Sequence, residues 1–151
     1  MKVLILGSGG REHALARQIS ASPLCEKLYV APGNGGTQDV AENIKIDIKD
    51  FYSIAEKVAA LGIDMLVVGP EAPLVDGIRE YFEGAKEFKK LKVIGPGKVG
   101  ATLEGSKDFA KDFMKRHSIP TAPYATFERG QESEALDFIQ KVLSLEWPSN
   151  I

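Results

Sequence analysis

Three glycine-rich segments hold the residues best suited to chemistry. Gly7-Ser8-Gly9-Gly10-Arg11-Glu12-His13 follows a short apolar run and precedes a helical pattern. Glycines let the backbone turn sharply and approach a ligand closely. Amides at the start of the following helix favour an anion, phosphate above all. Arg11 adds a rigid fork of donors for phosphate or carboxylate, so Gly9, Gly10 and Arg11 form one candidate anion site. The same residues also suit a strand-to-helix turn that binds nothing. In Gly69-Pro70-Glu71-Ala72-Pro73-Leu74, two prolines fix the backbone around Glu71. A carboxylate there suits ribose hydroxyls or an amine. It equally suits a surface glutamate opening a helix, where its charge favours the dipole. In Ala31-Pro32-Gly33-Asn34-Gly35-Gly36-Thr37, Asn34 and Thr37 can exchange hydrogen bonds with a ligand, although Asn in a glycine-rich loop is commonly only a turn residue.

Other chemistries fit less well. A dinucleotide fingerprint needs a third glycine where Glu12 stands, and an acidic residue about 20 positions on, where the chain reads Ala31-Pro32-Gly33. A carboxylate at position 12 would crowd and repel a pyrophosphate, so a nicotinamide cofactor is not expected. His13 has no second ligand at metal spacing, and His117 reads as a cation near a helix end. The single cysteine, Cys25, reads as a small packed hydrophobe. Lys107, just after a capping serine, reads from its neighbours alone as an exposed helix lysine.

Short apolar runs at 2–6, 27–31, 43–46, 64–69 and 92–95 alternate with helical patterns. Leu15 and Ile19 are expected on the inner side of the first helix. Asp50 is expected to cap a helix whose apolar face is Phe51, Ile54, Ala55, Val58 and Ala59. Residues 74–88 read as one helix. Strands separated by helices require crossovers, hence a mainly parallel sheet whose ligand crevice lies at the carboxyl ends of the strands. The three loops above leave such strand ends. After Gly97 the pattern changes. Ser106 caps a helix carrying Phe109, Ala110, Phe113 and Met114; a short strand is expected at 124–127; a last helix carries Ala135, Phe138, Ile139, Val142 and Leu143.

Composition sets the bounds. The 151 residues include 19 Lys plus Arg against 21 Asp plus Glu, a net charge of −2, which argues against a nucleic-acid partner. Apolar residues make up 44%, enough for a packed core. No apolar run approaches the roughly 20 residues of a membrane span. One cysteine excludes an intrachain disulfide and fits a cytoplasmic protein.

Five segments occur in register: Gly7-Ser8-Gly9-Gly10-Arg11-Glu12-His13-Ala14, Ala31-Pro32-Gly33-Asn34-Gly35-Gly36-Thr37, Val68-Gly69-Pro70-Glu71-Ala72-Pro73-Leu74-Val75, Leu103-Glu104-Gly105-Ser106-Lys107 and Ile119-Pro120-Thr121-Ala122. Over residues 1 to about 143 the chain closely resembles the N-terminal part of the phosphoribosylamine–glycine ligase family, within the ATP-grasp superfamily. The resemblance implies an α/β fold. A Rossmann-like parallel sheet with flanking helices over 1–97 would bind substrate, and 98–151 would begin an ATP-grasp domain. It implies a ligase of purine biosynthesis that uses ATP and Mg²⁺ to join glycine to 5-phosphoribosylamine through a glycyl phosphate. Gly9, Gly10, Arg11, Asn34, Thr37, Gly69, Pro70 and Glu71 would bind substrate, and the lysine matching Lys107 would reach ATP phosphates. The family is expected to be monomeric and cytoplasmic.

Departures accompany the match. Ile94 stands where an aromatic is usual, and extra residues fall around 84–91. The tail at about 144–151 does not resemble the family. Family chains are much longer, and their ATP clamp and magnesium ligands come later. No catalytic or metal-binding residue is therefore expected within these 151 residues, and the chain alone is expected to be catalytically incomplete. The alternative expectation is a non-catalytic short form that binds a phosphoribosyl ligand or a protein partner. Apolar faces exposed over 98–151 would favour self-association.

Overall fold

The first apolar run is a strand because its side chains can be buried on both sheet faces at once. In the computed structural model, which describes residues 1–144, that run is β1 (Lys2–Gly7), and Val3 to Leu6 are almost wholly buried. The other strands are β2 (Lys27–Pro32), β3 (Glu42–Asn43), β4 (Met65–Val68) and β5 (Lys92–Ile94). All pair in parallel, in the order β3-β2-β1-β4-β5. The third strand is only two residues long, against the four expected at 43–46.

Helices cover both faces. On one face, Ala16 and Ile19 of α1 (Gly10–Ser20) pack against Val3, Ile5, Leu28, Val30 and Val67. Leu15, expected inside, is 36% exposed. The inner stripe instead runs Glu12, Ala16, Ile19, because the buried member of the first turn is a carboxylate rather than an apolar side chain. On the other face, Ile54, Ala55 and Val58 of α2 (Phe51–Leu61) meet Leu4, Leu6, Leu66 and Val68. Asp50 caps α2 as expected, its side chain accepting from the Ser53 N–H.

The helix expected over 74–88 is broken into α3 (Glu71–Val75), α4 (Ile78–Gly84) and a 3₁₀ turn at Lys86–Phe88. Gly77 interrupts it with φ +93°, a left-handed conformation that glycine adopts without strain. The break lets Ile78 and Phe82 both turn into the core, where Phe82 meets Tyr81 and Phe88 edge to face. Helix α5 (Lys98–Gly105) closes the unit Met1–Gly105, with Ala101 buried.

The unit from Ser106 onward contains α6 (Lys107–Arg116) and α7 (Glu132–Leu143). Ser106 caps α6 by accepting from the Phe109 N–H. The strand expected at 124–127 does not form. That segment is held to α6 by side chains instead: Tyr124 donates to Asp112, Thr126 to Asp108, and Lys111 to the Thr121 hydroxyl. The expected tail at 144–151 lies, apart from Ser144, outside the described residues.

Candidate functional site

The carboxyl ends of β2, β1 and β4 are neighbours, so the topology brings the three glycine-rich loops to one edge. They are stitched there by main-chain bonds. Gly33 N–H donates to the Gly7 carbonyl and Gly69 N–H to the Leu6 carbonyl, each at 3.1 Å. The chain lays β2 and β3 on one side of β1 and β4 and β5 on the other, which makes the β1–β4 boundary the switch point where an open sheet leaves a crevice.

Gly9 is the N-cap of α1, and Gly10 and Arg11 form its exposed first turn. The first turn leaves backbone donors with no partner inside the helix. One of these donors is occupied by the protein itself: Gly9 N–H donates to Oε2 of Glu12 at 2.7 Å. Glu12 is only 5% exposed. A Cβ on Gly7 or Gly69 would strike its side chain, so two glycines from different loops make room for one carboxylate. Gly7 also holds φ +128°, which excludes most side chains on its own account.

Arg11 lies across the mouth of this loop. Its Nε donates to Glu12 Oε1 at 3.3 Å, and Nη1 stands 3.6 Å from Glu104 on α5. The hydrogen bond to Glu12, followed by the charges of Glu12 and Glu104, holds the guanidinium above its ordinary pKa. The group remains more than half exposed and open to an anion.

Asn34 and Thr37 are turned toward the protein. Asn34 Nδ2 donates to the Ser8 carbonyl at 2.8 Å and more weakly to that of Gly9, while Oδ1 accepts from Gly36 and Thr37 N–H. Thr37 has no exposed surface, and its hydroxyl is shared among Asn34 and Asn43. Gly69 lies against Glu12, and Pro70 is the N-cap of α3. Glu71 opens α3 with an exposed side chain, beside a groove of about 250 Å³ that it shares with Ala72, Val75, Asp76, Glu104 and Gly105. Lys107 is exposed in the first turn of α6. Among the described residues, no three His, Cys, Asp or Glu side chains are arranged to hold a metal, and no helix is long and apolar enough to cross a membrane.

Glu12, Asn43 and Glu104 were not singled out as site residues from the sequence. The signal for Glu12 was its position three residues after the helix cap, where a carboxylate can reach back to the cap amide. Asn43 and Glu104 carry no such local signal.

Strand order, parallel pairing and helices on both faces define a doubly wound α/β domain. The family model for the phosphoribosylglycinamide synthetase N domain matches residues 1–104. A phosphoribosylamine–glycine ligase from Clostridium acetobutylicum is 50% identical over 141 residues, 93% of this chain and 32% of the relative. The Escherichia coli K12 ligase is 48% identical over 129 residues, 84% of this chain and 29% of the relative. The crystal structure of the Thermotoga maritima ligase matches with a TM-score of 0.59 at 30% identity, covering 93% of this chain and 30% of that one. An N5-carboxyaminoimidazole ribonucleotide synthetase from Thermus thermophilus shares the fold, with a TM-score of 0.64 at 18% identity, over 93% of this chain and 36% of its own. The chain belongs to the phosphoribosylglycinamide synthetase family and spans about a third of the length of the curated relatives it matches.

Proposed function

We propose that this chain supplies the sugar-phosphate-binding part of an ATP-dependent ligase that joins glycine to 5-phosphoribosylamine in purine biosynthesis. The observation that carries this reading is the exposed Arg11 guanidinium at the start of α1, at the switch point of a parallel sheet. Arg11 and the amides of Gly10 and Arg11 would hold the phosphate. Glu71 would accept from ribose hydroxyls or orient the amine. Asn34 and Thr37 would serve by fixing the loop beside the phosphate, with Gly69 and Pro70 setting the position of Glu71.

In the proposed reaction, the glycine carboxylate takes a phosphoryl group from ATP, giving glycyl phosphate and ADP. The amine of the ribosylamine attacks the acyl carbon, the amide bond forms, phosphate leaves and the amine gives up a proton. The segment after residue 97 would lead into the ATP-grasp part, where Lys107 at the start of α6 would meet ATP phosphates. Among the described residues no cluster of His, Cys, Asp or Glu could hold the Mg²⁺ that the resemblance implies. Residues 1–151 by themselves would bind the sugar phosphate without turning it over. Their partners would be small molecules in the cytoplasm.

Calorimetric titration with glycinamide ribonucleotide, the stable product, tests this. Binding by the parent chain should weaken roughly 10- to 100-fold in Arg11→Ala, the loss expected for charge-assisted hydrogen bonds worth about 1.5–3 kcal/mol. No binding at millimolar ligand, or equal binding by the variant, would overturn it.

A further inference from the structure

The chemistry proposed above leaves the buried carboxylate of Glu12 unused. Its two carboxylate oxygens do different things. Oε2 takes the Gly9 N–H at 2.7 Å, and Oε1 takes Arg11 Nε at 3.3 Å. The side chain is 6% exposed, against 58% for the Arg11 side chain. It lies in space that Gly7 and Gly69 leave empty, and a Cβ on either would collide with it. It therefore touches both the loop after β1 and the loop after β4.

A carboxylate placed this way has two consequences. It fills the hollow of the glycine loop with a negative charge, so a ligand phosphate cannot settle there and is displaced outward to Arg11. It also holds the guanidinium by Nε, the one nitrogen not at the fork's outer end, which leaves the two outer nitrogens to receive an anion. Of those two, Nη1 is paired with the exposed Glu104 carboxylate at 3.6 Å, a contact that a ligand phosphate would replace.

We propose that Glu12 is the positioning residue of the phosphate site: an internal anion that closes the glycine loop and aims the outer nitrogens of Arg11 at the ligand phosphate. This rests on the sugar-phosphate reading given above. A glutamine at position 12 has the same size but puts an NH₂ donor where one carboxylate oxygen stood, so either the Gly9 N–H or the Arg11 Nε–H then faces a donor. A lysine at position 11 keeps the charge but has no Nε–H fork for Glu12 to grip.

The test is a mutant cycle read by titration with glycinamide ribonucleotide, using Glu12→Gln, Arg11→Ala and the double variant. Glu12→Gln is expected to weaken binding about tenfold. In the Arg11→Ala background it should weaken binding no further, because its effect passes through Arg11. Arg11→Lys should weaken binding about tenfold as well, which keeps the test open if Glu12→Gln does not fold. Additive effects in the cycle, or near-parental binding by Arg11→Lys, would overturn the proposal. The ¹⁵N–¹H resonance of Arg11 Nε is recorded in the same samples without ligand. A shifted signal in the parent that returns to the free-arginine position in Glu12→Gln supports the contact. A signal indifferent to that change overturns it, whether or not the ligand binds. Absence of binding by the parent chain would instead strike the sugar-phosphate reading.

Discussion

Asn34 reaches from the loop after β2 to the Ser8 carbonyl in the loop after β1, donating through Nδ2 at 2.8 Å. Its other end, Oδ1, accepts from the N–H groups of Gly36 and Thr37 at 2.8 and 3.0 Å. One amide side chain thus folds its own loop and fastens it to the neighbouring one.

Asn34→Ala removes all of these bonds and leaves part-buried donors and acceptors without partners. The expected loss is about 1–3 kcal/mol, seen as a lower midpoint in denaturant unfolding. Asn34→Asp should recover part of it, since a carboxylate still accepts from Gly36 and Thr37 but cannot donate to Ser8. An unchanged midpoint for Asn34→Ala would show that the bridge contributes nothing.

Gly69 and Gly10 should respond oppositely to alanine. At Gly69 the new methyl lands on the Glu12 carboxylate, whereas at Gly10 it meets nothing within 4 Å. Gly69→Ala is expected to destabilise by about 1–3 kcal/mol through overpacking. Gly10→Ala, at the start of α1, should raise stability by at most about 1 kcal/mol through its better helix propensity. Thermal unfolding of the two variants side by side checks the contrast, and equal midpoints would refute it.

Glu80 gives a pH dependence with a definite sign. Its carboxylate accepts from the Lys98 N–H at 2.7 Å, at the start of α5. That bond, before any other cause, holds the Glu80 pKa below its ordinary 4.5. The folded value lies below the unfolded one, so the contribution is fully present above pH 4.5 and is lost as pH falls from there through the folded value. Glu80→Gln should therefore be less stable than the parent near neutral pH, and the gap should close on acidification below pH 4.5. A gap that stays constant in acid would exclude this role.

Much of the fold is legible in short stretches of sequence. The apolar runs of β1, β2 and β4 are buried on both faces, so they need no alternation and stand out as continuous blocks. Asp50 and Ser106 announce helix starts because a cap bonds within three residues of itself. Where the reading failed, the deciding contacts were distant. The segment at 124–127 has strand-forming residues, but its hydroxyls are held by Asp108 and Asp112 on α6, and among the described residues no strand pairs with it. The helical pattern over 74–88 continues through Gly77, yet burial of Ile78 and Phe82 requires the chain to turn there.

The parallel α/β architecture, the three loops at one sheet edge and the family are readable in the chain, because they follow from periodicity, glycine spacing and motifs in register. Local sequence leaves open which of the neighbours Arg11 and Glu12, two charged residues in the first turn of one helix, is buried. In the folded protein Arg11 stays at the surface while Glu12 turns inward. The physical reason is space and partners: Gly7 and Gly69, from separate loops, leave room for one side chain, and the Gly9 amide gives its carboxylate a donor. A buried charge is stable only where such groups converge, and convergence from separate loops is not written in any local stretch of the chain.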